Sequence, residues 1–186
     1  MESKRKSTKS ILILILFIMS ISLMNAQKYS VEKGTASFKA KIAVNSYTGT
    51  SEQLTGSINF ESGELEFTIP ASSIKTPNKK RNKHMYELMK VEEHTHVTFK
   101  GNLIDFYDEA LKQKQTLKVR GDFMLAGATK EIELSIDLTP EQNGLRLYAN
   151  WILLITDYNL ERPTKAFLTV KDEHEMGVDA FLVETN

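Results

Sequence analysis

Three histidines are the residues whose type and spacing most readily suggest chemistry, because imidazole binds Zn²⁺ and other transition metals. His94 and His96 are two residues apart, so on a β-strand they would share one face, and His84 precedes them on a separate segment. They alternate, however, with apolar residues that the strand would bury, and no carboxylate stands at a spacing that completes a ligand set. We therefore predict no metal site.

Catalytic motifs are also missing from the sequence. It contains no G-x-S-x-G, no H-E-x-x-H and no phosphate-binding loop. It has no cysteine, which excludes thiolate metal sites, iron–sulfur clusters and cysteine nucleophiles. The remaining histidine, His174, lies in the acidic stretch 172–175 and is predicted to be solvated. We predict that the protein is not an enzyme and carries no cofactor, although a bound lipid would be compatible with the sequence.

A cluster of basic residues is the other candidate for a polar site. Its members lie close together in the chain and most of them fall on one predicted helix: Lys75, Lys79, Lys80, Arg81 and Lys83. Such a cluster is usually a solvated helix face. The alternative is that it attracts an anionic headgroup or an anionic lipid surface. In that case Lys80, Arg81 and His84 are the candidate headgroup contacts.

The N-terminus has the organisation of a secretory signal peptide. Basic residues precede an uncharged apolar run over residues 11–24, and small or polar residues follow it. We predict cleavage near Ala26 and a periplasmic or secreted protein. The alternative is that the apolar run is retained as a membrane anchor. Residues 1–26 are therefore assigned to the signal peptide and residues 27–186 to a single domain.

The charge balance gives no reason to expect a nucleic-acid partner. The chain has 24 basic and 24 acidic residues, and removal of residues 1–26 leaves a net charge of about −3. Proteins that bind nucleic acids usually carry a strong basic excess or a basic stripe. An exported chain without cysteine must also fold without disulfides, so its stability has to come from its core.

The elements that would position these residues are mainly β-strands. The clearest is a hairpin over residues 116–138, in which apolar and polar residues alternate in both arms. Residues 126–129 connect the arms, and Gly127 is free to adopt a positive φ. Gly121, within the first arm, leaves local room or permits the bend that closing a barrel demands.

The rest of the chain predicts further strands and one helix. Methionine and leucine residues at helical spacing indicate a helix over residues 78–89, and residues 46–50 are predicted to form a loop. Both faces of residues 151–155 are apolar, so we expect another element, such as the helix, to cover the outside of that strand. Many short strands with regular turns predict an all-β sandwich or closed barrel.

Four motifs resemble those of a known family. Residues 121–130, GDFMLAGATK, resemble the G-x-L-T-x-x-G-x-T-[KR] signature of the YceI-like proteins, which are exported bacterial proteins with a lipocalin-like barrel. Residues 81–85 are similar to the family's R-D-x-H-L helix motif, and residues 93–99 to its D-x-x-K-Y-P-x-[IV]-x-F strand entry. Residues 158–160 are similar to its aromatic-Gly-[IL] step. Asn82 stands where the motif has aspartate, and Asn159 where it has glycine.

The resemblance implies an antiparallel lipocalin-like β-barrel whose lumen holds a long apolar chain, such as a quinone, a prenyl phosphate or another polyisoprenoid. A barrel of about eight strands has enough interior either to be filled by side chains or to hold one slim ligand. The predicted role is noncatalytic capture or transport of that ligand. The candidate lumen residues are Phe38, Ile42, Phe60, Phe67, Phe99, Leu117, Val119, Phe123, Ile132, Ile136 and Trp151.

An alternative of a different class remains open at this point. The barrel could be packed solid and serve as an envelope interaction or structural module that binds a protein partner. The doubly apolar residues 151–155 favour this alternative, because an uncovered apolar strip marks a docking surface. A tunnel inside the barrel would favour the binding protein, and a filled interior would favour the interaction module. Transient contact with a membrane surface is compatible with both.

Overall fold

The computed structural model of the chain describes residues 28–43, 45–165 and 168–185, and the predicted signal peptide lies outside them. The described residues form strands and one α-helix, which is preceded by a short 3₁₀ helix at Ala71–Ser73; a second 3₁₀ helix is Ile155–Tyr158. The elements are β1 (Lys28–Ile42), β2 (Asn45–Ser51), β3 (Thr55–Asn59), β4 (Glu64–Pro70), α1 (Lys79–Met89), β5 (His96–Leu103), β6 (Gln115–Leu125), β7 (Ala128–Glu141), β8 (Gly144–Leu154), β9 (Thr164–Lys165), β10 (Leu168–Thr169) and β11 (Glu173–Thr185).

Eight antiparallel strands close into a barrel. They follow the order β11-β8-β7-β6-β5-β4-β3-β1, and β1 pairs with β11 to complete the ring. The long β1 has two partners on its other side, β3 near its beginning and β2 along its second half. The structure thus confirms the predicted all-β antiparallel barrel with one short helix. Among the described residues, no helix is long and apolar enough to span a membrane.

The barrel has two distinct ends. One end, called the base below, carries the beginning of β1, the end of β11 and the connections 60–63, 104–114 and 142–143. The other, called the helix end, carries α1 and the long connections 71–95 and 155–172. The helix end therefore holds most of the chain that is not part of the wall.

The β6–β7 hairpin forms as predicted, with pairs running from Gln115↔Leu138 to Leu125↔Ala128. Its turn is tighter than expected and consists of Ala126 and Gly127 alone. Both have positive φ, 50° and 80°, as the favoured two-residue hairpin turn requires. A Cβ at Gly127 would also lie 2.5 Å from the ring of His94, so this position needs glycine for space as well as for conformation.

Ala126 is strained in this turn, which leads to a stability prediction. The left-handed conformation strains any residue that has a Cβ, and the strain is smaller for asparagine than for alanine. Ala126→Asn is expected to raise the free energy of unfolding by about 0.5 to 1 kcal/mol in urea titrations. Thr129→Asn, at an exposed position in β7, is the matched control and should give no gain. Equal effects of the two substitutions would contradict the strain at Ala126.

The helix forms where the sequence predicts it, and asparagines fix its start. The side chain of Asn78 accepts a hydrogen bond from the backbone N–H of Arg81 at 3.0 Å, as an N-cap does. Asn82, at the position where the family motif has aspartate, accepts from the N–H and the hydroxyl of Thr76 at 2.8 and 2.7 Å. It also donates to the Thr76 carbonyl at 3.1 Å. These bonds tie the first helical turn to the preceding segment.

Two predictions about local structure are wrong. Residues 46–50 are not a loop but belong to β2, which pairs with β1 from Ala36↔Ser51 to Ile42↔Asn45. Gly49 makes this pairing possible, because any side chain there would collide with the ring of Phe38. Local propensity for a loop is overridden by the free edge that β1 offers to this segment.

The outer face of β8 is uncovered, contrary to expectation. Ile152 is 60% exposed, and Leu154 is exposed as well. The helix follows β4, which is four strands away from β8 around the ring of eight, so α1 lies on the wrong side of the barrel to cover it. Residues 151–155 therefore carry apolar side chains on both faces, as the sequence indicates, and only those on the inner face are packed against other residues.

Candidate functional site

Strand pairing determines which side chains point into the barrel, because directly opposed residues share a face of the sheet. The fully buried Val119 opposes Leu134, so both point into the barrel. The pairing of the other strands then identifies the inward residues around the rest of the ring. Ten of the eleven candidate lumen residues lie on strands, and nine of them are on this inward face of the ring. Ile42 lies past the last β1–β11 pair, Ala40↔His174, where β1 pairs only with β2, so the prediction that it lines the lumen is wrong. Phe60 lies just beyond the end of β3.

Most inward side chains towards the base are buried. They come from several strands and include the candidates Leu117, Val119 and Ile136. These three contribute to the floor of the barrel. The others in this layer are Ile58, Leu65, Leu138, Leu145, Leu147, Ala180 and Leu182.

Above this floor, most inward apolar side chains are half-buried, although Ala149 and Phe123 are buried. On β8, buried Leu147 and Ala149 are followed by half-buried Trp151 and then by buried Leu153. These inward side chains thus keep accessible surface that a close-packed interior would remove. These half-buried residues, called the lumen band below, are Ala36, Phe38, Phe67, Phe99, Ile132, Leu134, Trp151, Met176 and Val178.

The helix end closes over the lumen band with another buried layer. Inward residues near the strand ends, such as Ile69, Val97 and Leu125, are buried again. The connections contribute buried apolar side chains of their own, among them Met89 and Leu160. The barrel thus has a packed base, a less densely packed middle and a cover made by α1 and the long connections.

Phe60 belongs to the base and not to the lumen band. Its ring stacks on Tyr107 with centroids 4.4 Å apart and meets Tyr29 edge-on at 5.5 Å. Tyr107 comes from the connection 104–114, so this connection folds back under the barrel. The three rings act as an aromatic plug for the base.

A second aromatic cluster lines the helix-end side of the lumen band. Phe123 is buried, and its ring meets Trp151 and Tyr158 edge-on at 5.8 and 5.7 Å. Burial, with a smaller effect from Asp157, raises the pKa of Tyr158 to about 12, so its hydroxyl stays neutral. The indole N–H of Trp151 is buried and has no acceptor among the described residues. A ligand oxygen within reach would satisfy this donor.

Asn159 stands at the glycine position of the family's aromatic-Gly-[IL] motif, and its backbone conformation explains why that position takes glycine or asparagine. It follows Tyr158 with φ of 58° and ψ of 21°, the left-handed conformation. Glycine adopts this conformation without strain, and asparagine is among the few other residues that tolerate it. The replacement of the motif's glycine by asparagine therefore preserves the turn that holds Tyr158 against Phe123.

Arg81 connects the helix to the lumen band through aromatic contacts. Its guanidinium lies 4.0 Å from the ring centroid of Tyr47, and that ring meets Phe38 edge-on at 6.1 Å. Arg81 forms no ion pair with a carboxylate of the described residues. A cation stacked on the rim of the barrel and without a counter-ion is available to an anion.

The other headgroup candidates do not join Arg81. Lys80 and His84 are exposed on the side of α1 that faces solvent. A groove of about 780 Å³ runs along α1 beside residues 90–93. Lysines and glutamates both line it, so it has no strong charge of either sign. Of the predicted basic cluster, Arg81 stacks on Tyr47 of β2, and Lys75 is held beside the same strand by backbone hydrogen bonds with Thr50 of 2.9 and 2.8 Å.

The histidines of the same region do not assemble into a metal site. His84 and His96 are exposed, and His94 packs against Gly127. Within residues 28–43, 45–165 and 168–185, no group of three or more histidines and carboxylates is arranged to hold a metal ion.

His174 is buried, so the prediction that it is solvated is wrong. It is 7% exposed, and it points inward on β11 opposite Leu153. Its Nδ1 lies 3.0 Å from the backbone oxygen of Asp172, and its ring lies 5.8 Å from that of Phe38. The acidic neighbours in the sequence alternate with it and face outward, which is why the local composition misleads. Burial lowers the pKa of His174, against a smaller opposing effect of Asp172.

This burial predicts a pH dependence of stability. Because the pKa of His174 is lower in the folded state, the unfolded chain takes up the proton first on acidification. The free energy of unfolding should therefore fall as the pH drops below about 6.5, the usual histidine value, before carboxylates act below about pH 5. His174→Gln should flatten this part of a urea-midpoint profile, and His84→Gln, at an exposed residue, should leave it unchanged. Identical profiles in all three proteins would refute the assignment.

Several residues of the site were missed by reasoning from sequence. Tyr47 was assigned to a loop, and Met176 and Val178 were not singled out. Lys130 opposes Phe123 and so shares the inward face, yet its side chain is exposed, which places it at the rim of the helix end. The period-two pattern of β7 could have identified Lys130, because it alternates in step with Ile132.

Comparison with known proteins agrees with this architecture. The model of the YceI-like domain matches residues 28–181, which is most of the chain. None of the curated proteins is significantly similar in sequence.

Solved structures share the fold at low sequence identity. A polyisoprenoid binding domain from Saccharophagus degradans, implicated in plant cell wall breakdown, is 15% identical with a TM-score of 0.71 over 84% of this chain and 98% of that one. Burkholderia cenocepacia BcnA is 12% identical with a TM-score of 0.67 over 80% and 95%. The Campylobacter jejuni YceI protein is 16% identical with a TM-score of 0.52 over 90% and 89%.

Proposed function

The chain belongs to the YceI-like family, and on that premise we propose that it is a noncatalytic binding protein for a long-chain apolar molecule of the polyisoprenoid class. The ligand occupies the middle of the barrel, where it contacts the lumen band. Quinones and prenyl phosphates are the members of this class that combine a long apolar tail with a polar head.

The observation that carries the proposal is the burial profile of the inward face. Most of the half-buried inward apolar side chains belong to the lumen band, which lies between the buried layers of the base and of the cover. Apolar surface that borders space inside a barrel gains from contact with an apolar ligand at about 25 cal/mol per Å². The Saccharophagus degradans domain, which has the same fold and binds polyisoprenoid, supports the same ligand class.

The cellular location is part of the proposal. Residues 1–26 have the organisation of a signal peptide, so we place the protein in the periplasm or outside the cell after cleavage near Ala26. A carrier in that compartment would keep a water-insoluble isoprenoid out of contact with water.

The single tryptophan of the chain provides a direct test. Trp151 belongs to the lumen band, and quinones quench indole fluorescence on contact. Titration with a quinone that has a long isoprenoid tail should give saturable quenching, whereas the same quinone ring without its tail should quench only by collision. Equal, unsaturable quenching by both compounds would overturn the proposal.

Arg81 is the residue we propose for contact with an anionic head. Because its guanidinium lies at the rim on Tyr47 without a carboxylate partner among the described residues, it can form a charge-assisted hydrogen bond to a phosphate. Arg81→Gln is expected to weaken binding of a prenyl pyrophosphate about 10-fold and to leave the corresponding prenol unchanged, as measured by competition with the quinone. Lys80→Gln is the control on the exposed face. Equal losses for pyrophosphate and prenol would contradict the headgroup role.

The exposed strip on β8 is the observation that favours the alternative, an interaction module. Ile152 and Leu154 point away from the barrel and are uncovered among the described residues. If docking there were the main function, Ile152→Ser with Leu154→Ser would abolish activity in the cell while isoprenoid binding stayed normal. If binding is the function, the double variant should behave as the wild type in both assays.

A further inference from the structure

Two ring nitrogens on the inner wall have no hydrogen-bond partner among the described residues. One is the indole Nε1 of Trp151, which is buried. The other is Nε2 of His174, a side chain that is only 7% exposed. Its ring bonds through Nδ1 to the backbone oxygen of Asp172 at 3.0 Å, and Nε2 makes no hydrogen bond within the described part of the chain. Nitrogens of such rings are normally hydrogen-bonded, so a bound molecule that supplies both partners would be favoured.

The two rings are neighbours on the inward face. Met176 of β11 opposes Trp151 of β8. His174 is two residues from Met176, so it shares the inward face and is the diagonal neighbour of Trp151. Diagonal neighbours have Cα atoms about 7–8 Å apart, a distance that aromatic side chains can bridge. The His174 ring also lies 5.8 Å from that of Phe38 in the lumen band. The pair therefore stands where the lumen band meets the cover of the helix end.

The hydrogen bond to Asp172 determines the role of each nitrogen. A backbone carbonyl only accepts, so Nδ1 of His174 carries the proton. Burial lowers the pKa of His174, against a smaller opposing effect of Asp172, and the ring is therefore neutral at pH 7. Its Nε2 is then an acceptor, whereas the indole N–H of Trp151 only donates. The wall thus presents one donor and one acceptor side by side.

This combination discriminates between polar heads. A hydroxyl accepts from the indole and donates to the imidazole, so it satisfies both nitrogens at once. A quinone carbonyl or an ether oxygen only accepts and leaves Nε2 without a donor. A phosphate brings negative charge to an acceptor in an apolar site, which is unfavourable. The neutral hydroxyl of Tyr158, in the same aromatic cluster as Trp151, can donate or accept and so favours none of these heads.

We propose that Trp151 and His174 form a specificity site for a neutral hydroxyl head, so that the protein selects a long-chain alcohol, such as a prenol, over the corresponding ether. This selectivity rests on the proposed function, the binding of a long-chain ligand in the lumen, and deepens it by naming the head group. The contact is separate from that of Arg81, which stacks on Tyr47 and suits an anionic head.

Matched ligands test the site without any substitution. An isoprenoid alcohol, its methyl ether and the hydrocarbon without oxygen would compete with the long-tailed quinone, whose quenching of Trp151 reports binding. The alcohol is expected to bind about 10-fold more tightly than the ether, because only the alcohol can donate to Nε2. The ether should bind more tightly than the hydrocarbon, because it still accepts from Trp151.

The outcomes of this competition separate the site from the function. Equal affinities of alcohol and ether would overturn the specificity site and leave the proposed function standing. Failure of the quinone and of all three competitors to bind would refute the proposed function, and the specificity site with it.

Variants at His174 separate the contact from packing. His174→Asn keeps a donor near the position of Nδ1 but has no acceptor at that of Nε2, so it should abolish the preference for alcohol over ether. His174→Gln places an amide oxygen near the position of Nε2 and should restore part of this preference. His84→Asn, at an exposed histidine, is the control and should leave the preference unchanged.

The affinity for the long-tailed quinone shows whether each variant still folds and loads. A full preference for the alcohol in a His174→Asn protein that binds the quinone normally would refute the role of His174. If that variant does not fold, the comparison of alcohol with ether in the wild type and in His174→Gln decides.

Discussion

Phe99→Arg is expected to abolish loading of the long-chain ligand, with binding at least about 100-fold weaker than in the wild type. Phe99 lies in the lumen band, opposite Phe67 on one side and Phe123 on the other. An arginine here places a charge among apolar side chains without a partner, and a ligand tail that enters would remove the water that solvates it. The uncompensated charge costs several kcal/mol, of which 2.8 kcal/mol already corresponds to about 100-fold in affinity.

Phe99 is a better position for this test than Phe123. Phe123 is buried between Trp151 and Tyr158, so an arginine there would disrupt the fold and make loss of binding uninformative. Asn102→Arg, at an exposed position on the outer face of the same strand, is the matched control. Binding would be measured by quenching of Trp151, and folding by circular dichroism. A folded Phe99→Arg protein that loads the ligand normally would show that the lumen band is not the binding surface.

Gly121→Ala is expected to destabilise the protein severely, by about 3 kcal/mol or more. Gly121 opposes Gly101 across β5 and β6, and a Cβ at residue 121 would lie 2.5 Å from the Cα of Gly101 and overlap the Lys100 carbonyl oxygen. These are backbone atoms, which cannot move aside as a flexible side chain can. Glycine at both positions leaves the room that this close approach of the two backbones requires.

Gly63→Ala provides the comparison that separates space from conformation. Gly63 has φ of 78°, but its nearest contacts would be ordinary ones, at 3.8 Å from Leu103. Alanine there costs only the left-handed strain, about 1 kcal/mol. Urea unfolding of both variants should therefore give a much larger loss for Gly121→Ala. Similar losses would contradict the close approach of β5 and β6.

The alternation of apolar and polar residues was sufficient to predict most of the wall. It identifies the β6–β7 hairpin, the inward direction of Phe67, Phe99 and Trp151, and the all-β class. The helix was predictable because methionine and leucine recur at helical spacing and Asn78 caps it. These features depend on residues near each other in sequence.

Features that depend on distant pairing were not predictable in this way. Residues 45–51 became a strand only because β1 leaves an edge free beside them, and Gly49 leaves room there for Phe38. His174 looked solvated because its sequence neighbours are acidic, yet the barrel wall turns it inward. Phe60 follows the alternating pattern that predicts a lumen residue. It lies past the end of β3, however, and its ring stacks on that of Tyr107.

For the candidate site, the sequence predicts which side chains point inward but not how deeply each of them is buried. The sequence predicts that Leu117 and Trp151 both point inward, but not that the first is buried in the base and the second only half-buried in the lumen band. This distinction depends on how eight strands tilt and on which connections fold back over the ends. The resemblance to the YceI-like proteins supplied the ligand class, and the burial profile locates the part of the barrel that we propose binds it.

The most direct measurement of the central claim is mass spectrometry of the lipids extracted from the protein after purification from its native envelope. The account predicts one dominant long-chain isoprenoid, close to one molecule per chain, and its loss in Phe99→Arg but not in Asn102→Arg. The absence of any lipid, together with no uptake of added isoprenoid by the purified protein, would contradict it.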